Sequence, residues 1–162
     1  MVEVRAATAA DEDALAAIDR ATWSGLSSPA PPPGEGWTFF GERTPPEEVL
    51  VAVVDDQVAG YVKLRRATPL PASDHVLTIQ GLAVAPSKQG RGVGHALIDG
   101  AIAEAYRRGC RRLTLHVLGP NDRARRLYES AGFVVEGRLR GEFFLDGAYV
   151  DDLAMALELP DA

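Results

Sequence analysis

The segment VLTIQGLAVAPSKQGRGVGHAL, residues 76–97, predicts a strand, a glycine-rich loop and the start of a helix, in that order. The apolar run over 76–85 is typical of a strand, and Gly81 within it indicates a bulge or a close approach of another backbone. Apolar residues then recur at four-residue spacing from Val93 to Ala105, which predicts a helix with one buried face. The rest of the chain extends this unit on both sides.

Short strands, hairpins and two more helices are predicted around this unit. Residues 24–46 are dense in Ser, Pro and Gly, which is typical of a functional lid or a mobile loop. No internal repeat and no second domain are evident, so we expect one domain over residues 1–162. The surrounding elements are a first strand over 2–6, helices over 8–21 and 121–131, and hairpins that turn at Asp55-Asp56 and Asp146-Gly147.

Length and composition fit an ordinary globular protein. The chain has 162 residues, of which 46% are hydrophobic and 25% charged, and its net charge is −6. This acidic balance argues against a nucleic-acid binder, and no apolar run is long enough to predict a membrane span. Cys110 is the single cysteine, which excludes an internal disulfide and a cysteine-built zinc site. Because no secretory signal is visible either, we expect a cytoplasmic protein.

Positive charge is concentrated around the glycine loop. Residues 87–126 contain nine basic and three acidic side chains, a net charge of +6, which leaves −12 for the remainder. A basic island in an acidic protein fits a small polyanionic ligand better than a nucleic-acid duplex. Solvated cations at helix ends and in loops are the alternative interpretation.

Three glycines, Gly90, Gly92 and Gly94, stand immediately before the predicted helix. They remove side chains where the first N–H groups of the helix lack partners, and the positive end of the helix dipole adds to them. A pyrophosphate can therefore approach the main chain and accept several hydrogen bonds. The dinucleotide fingerprint would need glycine in place of His95, and no Walker GK[ST] sequence occurs, so these two phosphate sites are excluded.

The loop and two later segments resemble the GNAT superfamily of N-acetyltransferases. Gln89, Gly92 and Gly94 match the three fixed places of its acetyl-CoA loop, [QR]-x-x-G-x-[GA]. NDRARRLYESAGF, residues 121–133, resembles its N…A..LYE..GF block, and residues 136–159 resemble its last hairpin. The resemblance implies an α+β (α/β layered) fold, with a mixed, mainly antiparallel central sheet of about seven strands flanked by about four helices.

The resemblance also implies acetyl-CoA as a cosubstrate. The three histidines are scattered along the chain, which predicts no metal site. In the family the fourth and fifth strands splay apart, and backbone groups matching Leu82, Ala83 and Val84 bond the pantetheine amides in the gap. Asn121 matches an asparagine that commonly contacts the cofactor arm. The pyrophosphate would lie on main-chain N–H groups of the loop, which comprises Gln89, Gly90, Arg91, Gly92, Val93, Gly94 and His95.

Tyr128 matches the family tyrosine that lies near the thioester sulfur, which implies that it protonates or hydrogen-bonds the departing thiolate. Packing on an apolar helix stripe is the structural alternative. Many relatives carry a glutamate base at the place of Thr78, and threonine cannot serve as that base. His116, His75 and acids from the first loop or the last hairpin remain as candidates. For the two histidines, a packed, hydrogen-bonded ring and a solvated ring are the respective alternatives.

The resemblance therefore implies an N-acetyltransferase that transfers the acetyl group of acetyl-CoA to a primary amine by direct attack. The amine belongs to a small molecule or to a peptide or protein N-terminus. The alternative is a non-catalytic acetyl-CoA-binding or sensing domain, which Thr78 favours and Tyr128 opposes. The expected partner is therefore a small amine or peptide, with no nucleic acid and no membrane, and a homodimer is an open alternative.

Acidic residues give the remaining clues to the acceptor. Asp151 is in phase with apolar residues of the last strand and Asp152 is out of phase, so we expect Asp151 to need a cationic partner. An internal arginine is favoured as that partner, and the cationic substrate amine is the alternative. The Ser-Pro-Gly-rich segment also has an acidic edge, which predicts a cleft suited to a positively charged amine. The edge consists of Glu35, Glu42, Glu47 and Glu48.

Overall fold

A seven-stranded sheet, in the strand order β1-β2-β3-β4-β5-β7-β6, forms the centre of the molecule. The computed structural model describes residues 1–161. All neighbouring strands are antiparallel except β4 and β5, so the sheet is mixed and mainly antiparallel as expected. The strands are β1 Glu3–Ala6, β2 Val49–Val54, β3 Gln57–Arg66, β4 Val76–Val84, β5 Arg112–Leu118, β6 Val134–Leu145 and β7 Ala148–Glu158.

Three α-helices lie against this sheet, where the resemblance implied about four. The irregular segment after the first helix forms turns and bends instead of a further α-helix. Short 3-10 turns add single helical turns at 9–11, 46–48, 71–73 and 86–88. The helices are α1 Glu12–Thr22, α2 Val93–Arg107 and α3 Asp122–Ser130.

The two predicted hairpins turn where the sequence indicated. Asp55 and Asp56, between β2 and β3, both have positive φ angles, 51° and 61°. Asp146 and Gly147, between β6 and β7, have φ angles of 50° and 79°. Two consecutive positive φ angles match the twist of a two-residue hairpin, and Asp and Gly tolerate them.

The two faces of the sheet bury separate apolar clusters. Helix α2 packs on one face, where Leu97 and Ile98 are fully buried among residues of β3, β4 and β5. Helix α1 packs on the other face, where Leu15 joins Phe39 and Tyr61. None of the helices in residues 1–161 has the length and apolarity needed to cross a membrane.

Strands β4 and β5 separate halfway along their length. They pair in parallel from Val76 to Ile79, opposite residues 112–115, and the pairing stops there. On its other side β4 continues to pair with β3 as far as Val84. Residues 80–84 therefore keep backbone groups that face the gap instead of a neighbouring strand.

A β-bulge lies at the point where the two strands separate. Gly81 pairs with Lys63, and the next pair joins Ile79 to Leu64, so Gln80 is the extra residue. The sequence indicated this bulge at the neighbouring Gly81. The bulge increases the local twist of β4 and turns its free edge away from β5.

Candidate functional site

The gap between β4 and β5 opens into a cleft of about 990 Å³, here called the long cleft. The free edge of β4 forms one side, and the glycine loop forms one end. Helix α1 and the Ser-Pro-Gly-rich segment cover the other end. The predicted cofactor residues that line this cleft are Leu82, Ala83, Val84, Gln89, Gly90, Gly92, Val93, Gly94, His95 and Asn121. Arg91 is exposed in the same loop but does not line the cleft.

The glycine loop presents bare backbone to the long cleft. Gly90 and Gly92 have φ angles of 77° and 80°, in the left-handed region that favours glycine. A Cβ atom at either position would have no heavy atom within 4 Å, so the space above the loop is open. Gly92 is the N-cap of α2, so the unpaired N–H groups of the first helical turn begin directly after it. This arrangement suits an anion.

Side chains of the loop brace it against its neighbours. Gln89 Nε2 donates to the carbonyl oxygen of Val84 at 3.1 Å, and Gln89 Oε1 accepts from Arg123 Nη1 at 2.7 Å. His95 Nε2 lies 2.9 Å from Ser130 Oγ. The side chains of Gln89 and His95 thus hold the loop between β4 and α3, while the loop backbone faces the cleft.

The basic island divides into two groups. Lys88, Arg123 and Arg126 line the long cleft, and Arg91 stands beside it. The other five basic side chains form ion pairs with carboxylates elsewhere, so only four of the nine are left at or beside the cleft. These pairs join Arg107 and Arg108 to Glu104, Arg111 to Asp161, Arg112 to Glu136, and Arg125 to Asp122.

A smaller cleft of about 270 Å³ adjoins the long cleft at the point where β4 and β5 separate. Gln80, Gly81, Leu82 and Asn121 line both clefts, so the two spaces meet along the free edge. This small cleft is also lined by Ser27, Ser28, Pro29, Ile79, His116, Val117, Leu118, Ala124, Tyr128, Phe143 and Asp152.

Tyr128 is placed in the small cleft by helix α3. Its ring is buried and meets the edge of Phe133, with ring centres 5.6 Å apart. Burial raises the pKa of Tyr128 to about 12, so its hydroxyl remains protonated at neutral pH. Within residues 1–161 no side-chain oxygen or nitrogen sealed from solvent lacks a partner. Tyr128 therefore belongs both to the hydrophobic core and to the lining of the small cleft.

His116 and Asp152 form a pair at the floor of the small cleft. His116 Nδ1 lies 2.7 Å from Asp152 Oδ2, and the two side chains are 56% and 10% exposed respectively. The residue at the usual glutamate place is engaged elsewhere, since Thr78 Oγ1 bonds Thr114 Oγ1 at 2.9 Å. Asp151 has an internal arginine partner, as expected, since it bonds Arg138 at 2.8 Å, but it lies outside the cleft and is not the buried acid. The buried carboxylate of β7 is therefore Asp152.

The expected acidic edge is not part of either cleft. The four glutamates proposed for it line neither space, and Glu48 is paired with Arg65 at 3.1 Å. The carboxylates that line the clefts are Asp19, which accepts from the Tyr61 hydroxyl, and Asp152. The expectation that these four glutamates form the edge of the cleft was therefore wrong, and the acids at the clefts are Asp19 and Asp152 instead. In the described part of the chain, no group of three His, Cys, Asp or Glu side chains could hold a metal ion.

Lys63 adds a cation close to the bulge. Its ammonium lies 4.7 Å from the ring centre of Phe39, in the long cleft. Burial lowers the pKa of Lys63, while the nearby Asp19 carboxylate raises it. No local sequence pattern points to Lys63, because its position depends on the aromatic cluster that α1 packs against the sheet.

Comparison with known proteins agrees with this geometry. A sequence model described as the acetyltransferase (GNAT) family matches residues 13–133. The chain is 32% identical over 123 residues to the [ribosomal protein bS18]-alanine N-acetyltransferase of Salmonella typhimurium, covering 75% of this chain and 78% of that protein. It is 41% identical over 69 residues to the spermidine N(1)-acetyltransferase of Vibrio cholerae, covering 42% of this chain and 40% of that protein.

A solved structure gives a second comparison. The yncA protein of Salmonella typhimurium, solved with its cofactor acetyl-CoA, superposes with a TM-score of 0.65 and 26% identity. The match covers 70% of this chain and 65% of that protein. The chain spans less than half the length of several curated relatives that it matches.

Proposed function

The chain belongs to the acetyltransferase (GNAT) family, and on that premise we propose that it is an acetyl-CoA-dependent N-acetyltransferase acting on a primary amine. One observation carries the proposal. A free strand edge leads from an anion-binding loop to a buried, protonated tyrosine. Residues 80–84 would span about 17 Å at about 3.3 Å per residue, which suits an extended ligand with phosphates at one end.

The residues of the long cleft fit acetyl-CoA. Free N–H and C=O groups of Leu82 and Val84 can pair with the amides of a pantetheine arm in the manner of an added strand, whereas Ala83, also expected to do so, turns its backbone groups toward Tyr61 of β3. The open backbone of the glycine loop can hold the pyrophosphate, and Lys88 and Arg123 add positive charge. The carbonyl oxygen of Val84 already accepts a hydrogen bond from Gln89, so Val84 can offer the pantetheine arm its N–H group and the second lone pair of that oxygen.

Acetyl-CoA supplies the thioester carbonyl that the amine attacks. Tyr128 then donates a hydrogen bond to the sulfur as negative charge develops there. Full proton transfer from a phenol with a pKa of about 12 to a thiolate of pKa about 8.5 is uphill by roughly 5 kcal/mol. A hydrogen bond that strengthens as the sulfur departs is therefore the role that fits this site. Asn121, whose Oδ1 accepts from the Ala124 N–H, holds the start of α3 and faces both clefts.

An acceptor screen tests the activity directly. The purified chain is mixed with acetyl-CoA and a panel of polyamines, amino acids, aromatic amines and peptides that begin with alanine. Release of CoA thiol is followed colorimetrically, and the single cysteine, Cys110, is buried with a pKa raised by burial, so it adds little background. At least one amine must accelerate thiol release and gain 42 mass units, the mass of an acetyl group less a hydrogen. Tight binding of acetyl-CoA without any accelerating amine would instead support the non-catalytic sensing domain.

The acceptor class remains broad. The matched relatives are named for spermidine and for the alanine of a ribosomal protein, so small amines and protein N-termini are both in the panel. We place the reaction in the cytoplasm, because acetyl-CoA and both of these acceptor classes occur there.

We also propose a homodimer that pairs through the β6 edge of the sheet. Strand β6 is at the margin of the sheet, and large apolar side chains on β6 and β7 face solvent. Exposed apolar residues on an unpaired edge are typical of an interface. Sedimentation velocity is expected to show a dimer that F144D converts to a monomer. The exposed residues are Val134, Val135, Leu139, Phe144 and Tyr149.

A further inference from the structure

We propose that His116 is the general base that deprotonates the acceptor amine, and that Asp152 is the residue that positions it. The assignment rests on the proposed acetyltransferase function. A base is needed because an amine with a pKa near 10.4 is neutral in only about one molecule in 2,500 at pH 7. Thr78, at the place where many relatives have a glutamate, is bonded to Thr114 and carries no group that can take up this proton.

The position of His116 is set by the separation of the two strands. Pairing between β4 and β5 ends at Ile79 and Leu115, so His116 is the first β5 residue beyond the paired part. Its side chain is on the sheet face opposite Leu115 and Val117, both of which are buried. The imidazole therefore reaches the small cleft, which also receives the ring of Tyr128. His116, the proposed base, and Tyr128, the proposed hydrogen-bond donor to the thiolate, therefore line the same small cleft from two different elements, β5 and α3.

Asp152 fixes which imidazole nitrogen can accept a proton. On β7, Ala154 is the direct partner of His116 and Asp152 is opposite Leu118, which makes His116 and Asp152 diagonal neighbours on one face. An ionised carboxylate can only accept hydrogen bonds, so the 2.7 Å contact requires that His116 Nδ1 carry the hydrogen. Nε2 of the neutral ring is then left with a free lone pair, which is the form a general base needs.

The other groups around the small cleft leave this role to His116. The titratable residues that line it are His116, Asp152 and Tyr128. The Ser-Pro-Gly-rich segment, β4 and β6 contribute only uncharged side chains to the small cleft, among them Ser27, Gln80 and Phe143. Asp152 already accepts the hydrogen bond from His116 Nδ1, so the role of base falls to His116.

The proton balance of the step is complete without another reagent. The ammonium gives one proton to His116 Nε2, and the neutral amine attacks the thioester carbonyl carbon. The C–N bond forms and the C–S bond breaks, and a second amine proton passes to the sulfur that Tyr128 supports. His116 then returns its proton to water, so each turnover yields the amide, CoA thiol and one proton.

The test compares H116Q with H75Q over pH 6–10, using spermidine and a short peptide with an N-terminal alanine as acceptors. His75 lies in the loop before β4 and lines neither cleft, so H75Q controls for the loss of an imidazole. We expect H116Q to lose about 10²–10³-fold in kcat/KM at pH 7. The loss should shrink toward pH 10, where the amine is neutral without help, and acetyl-CoA affinity should stay within about twofold.

Two further variants separate chemistry from folding. Imidazole added to H116A should restore part of the rate, and imidazole should not accelerate the wild type. D152N should lower kcat by about 10²-fold while acetyl-CoA still binds, because an amide can donate to Nδ1 and select the wrong tautomer. If the wild type acetylates amines but H116Q keeps its rate and pH profile, His116 is not the base. If no amine is acetylated by the wild type, the proposed function itself fails, and the dyad assignment fails with it.

Discussion

The carbonyl oxygen of Ala83 lies so close to Gly60 that a Cβ atom on this glycine would come within 2.7 Å of it. Gly60 pairs with Val84 across β3 and β4, so the contact forms part of the support for the free edge. We expect G60A to displace β4 and to lower the free energy of unfolding by about 1–3 kcal/mol. Acetyl-CoA affinity should fall as well, since the edge moves. Urea denaturation and calorimetric titration measure the two effects.

G137A is the matched control for this change. Gly137 is also in a strand, but a Cβ atom there would meet no heavy atom within 4 Å. Its stability and acetyl-CoA affinity should stay close to those of the wild type. Equal behaviour of G60A and G137A would show that the close contact between β3 and β4 has no role in binding.

Removal of the Tyr128 hydroxyl tests its proposed hydrogen bond to the departing sulfur. Y128F keeps the ring and its edge contact with Phe133. We expect kcat to fall about 10²-fold, as for the loss of a single donor to a developing negative charge. The acetyl-CoA dissociation constant should change by less than about twofold. Y106F is the control, since Tyr106 is exposed on α2 and lines neither cleft, and an unchanged kcat in Y128F would remove this role.

Charge reversal in the glycine loop tests long-range attraction of the anion. Arg91 is exposed beside the long cleft, so R91E should weaken acetyl-CoA binding about tenfold at low salt. The effect should diminish at 0.5 M salt because screening is then stronger. R43E is the matched control, since Arg43 is also exposed but lines neither cleft. A loss in R91E that does not depend on salt would indicate a disturbed loop instead.

The ion pairs of Glu104 predict how stability depends on pH. A hydrogen bond from Arg107 lowers the pKa of Glu104 from 4.5 to about 2. Its stabilising effect is therefore complete above pH 4.5 and is lost as the pH falls toward 2. Because Arg107 is largely exposed and solvent weakens the pair, E104Q should lower the free energy of unfolding at pH 7 by no more than about 1 kcal/mol.

Urea denaturation at pH 7 and pH 3 measures this dependence. The difference between E104Q and the wild type should be smaller at pH 3 than at pH 7. A difference that stays the same at both pH values would mean that Glu104 stabilises through packing and not through its charge.

Local signals were enough to predict most of the fold. Positive φ angles at Asp146 and Gly147, and again at Asp55, occur where turn-forming residues separated two strand-like runs. The loop from Gln89 to Gly94 lies between a strand and a helix, as its glycines and the family pattern indicated. Each of these predictions depends on residues within a few positions of one another, which is the range over which turn and cap preferences act.

Long-range pairing was what the sequence could not supply. His116 and Asp152 meet because β7 lies between β5 and β6, and no local pattern fixes that order. The same limit explains why Asp151, and not Asp152, was expected to be the buried acid of β7. Both faces of a central strand can be covered, so the alternation of apolar residues alone does not show which side chain is buried. Arg112 belongs to the basic island of the sequence, yet it is paired with Glu136, 24 positions along the chain.

The free edge at residues 80–84 also bears on the solubility of the protein. Unpaired strand edges commonly act as templates for pairing with other molecules, which leads to aggregation. Here the edge lies inside the sheet, between β3 and the diverging β5, and α1 and the segment at 27–33 border the opening. A strand from another molecule would need room for its own side chains and its own sheet. The narrow opening therefore lets a thin, extended ligand form strand-like hydrogen bonds with the free edge, and it excludes the edge strand of another protein molecule.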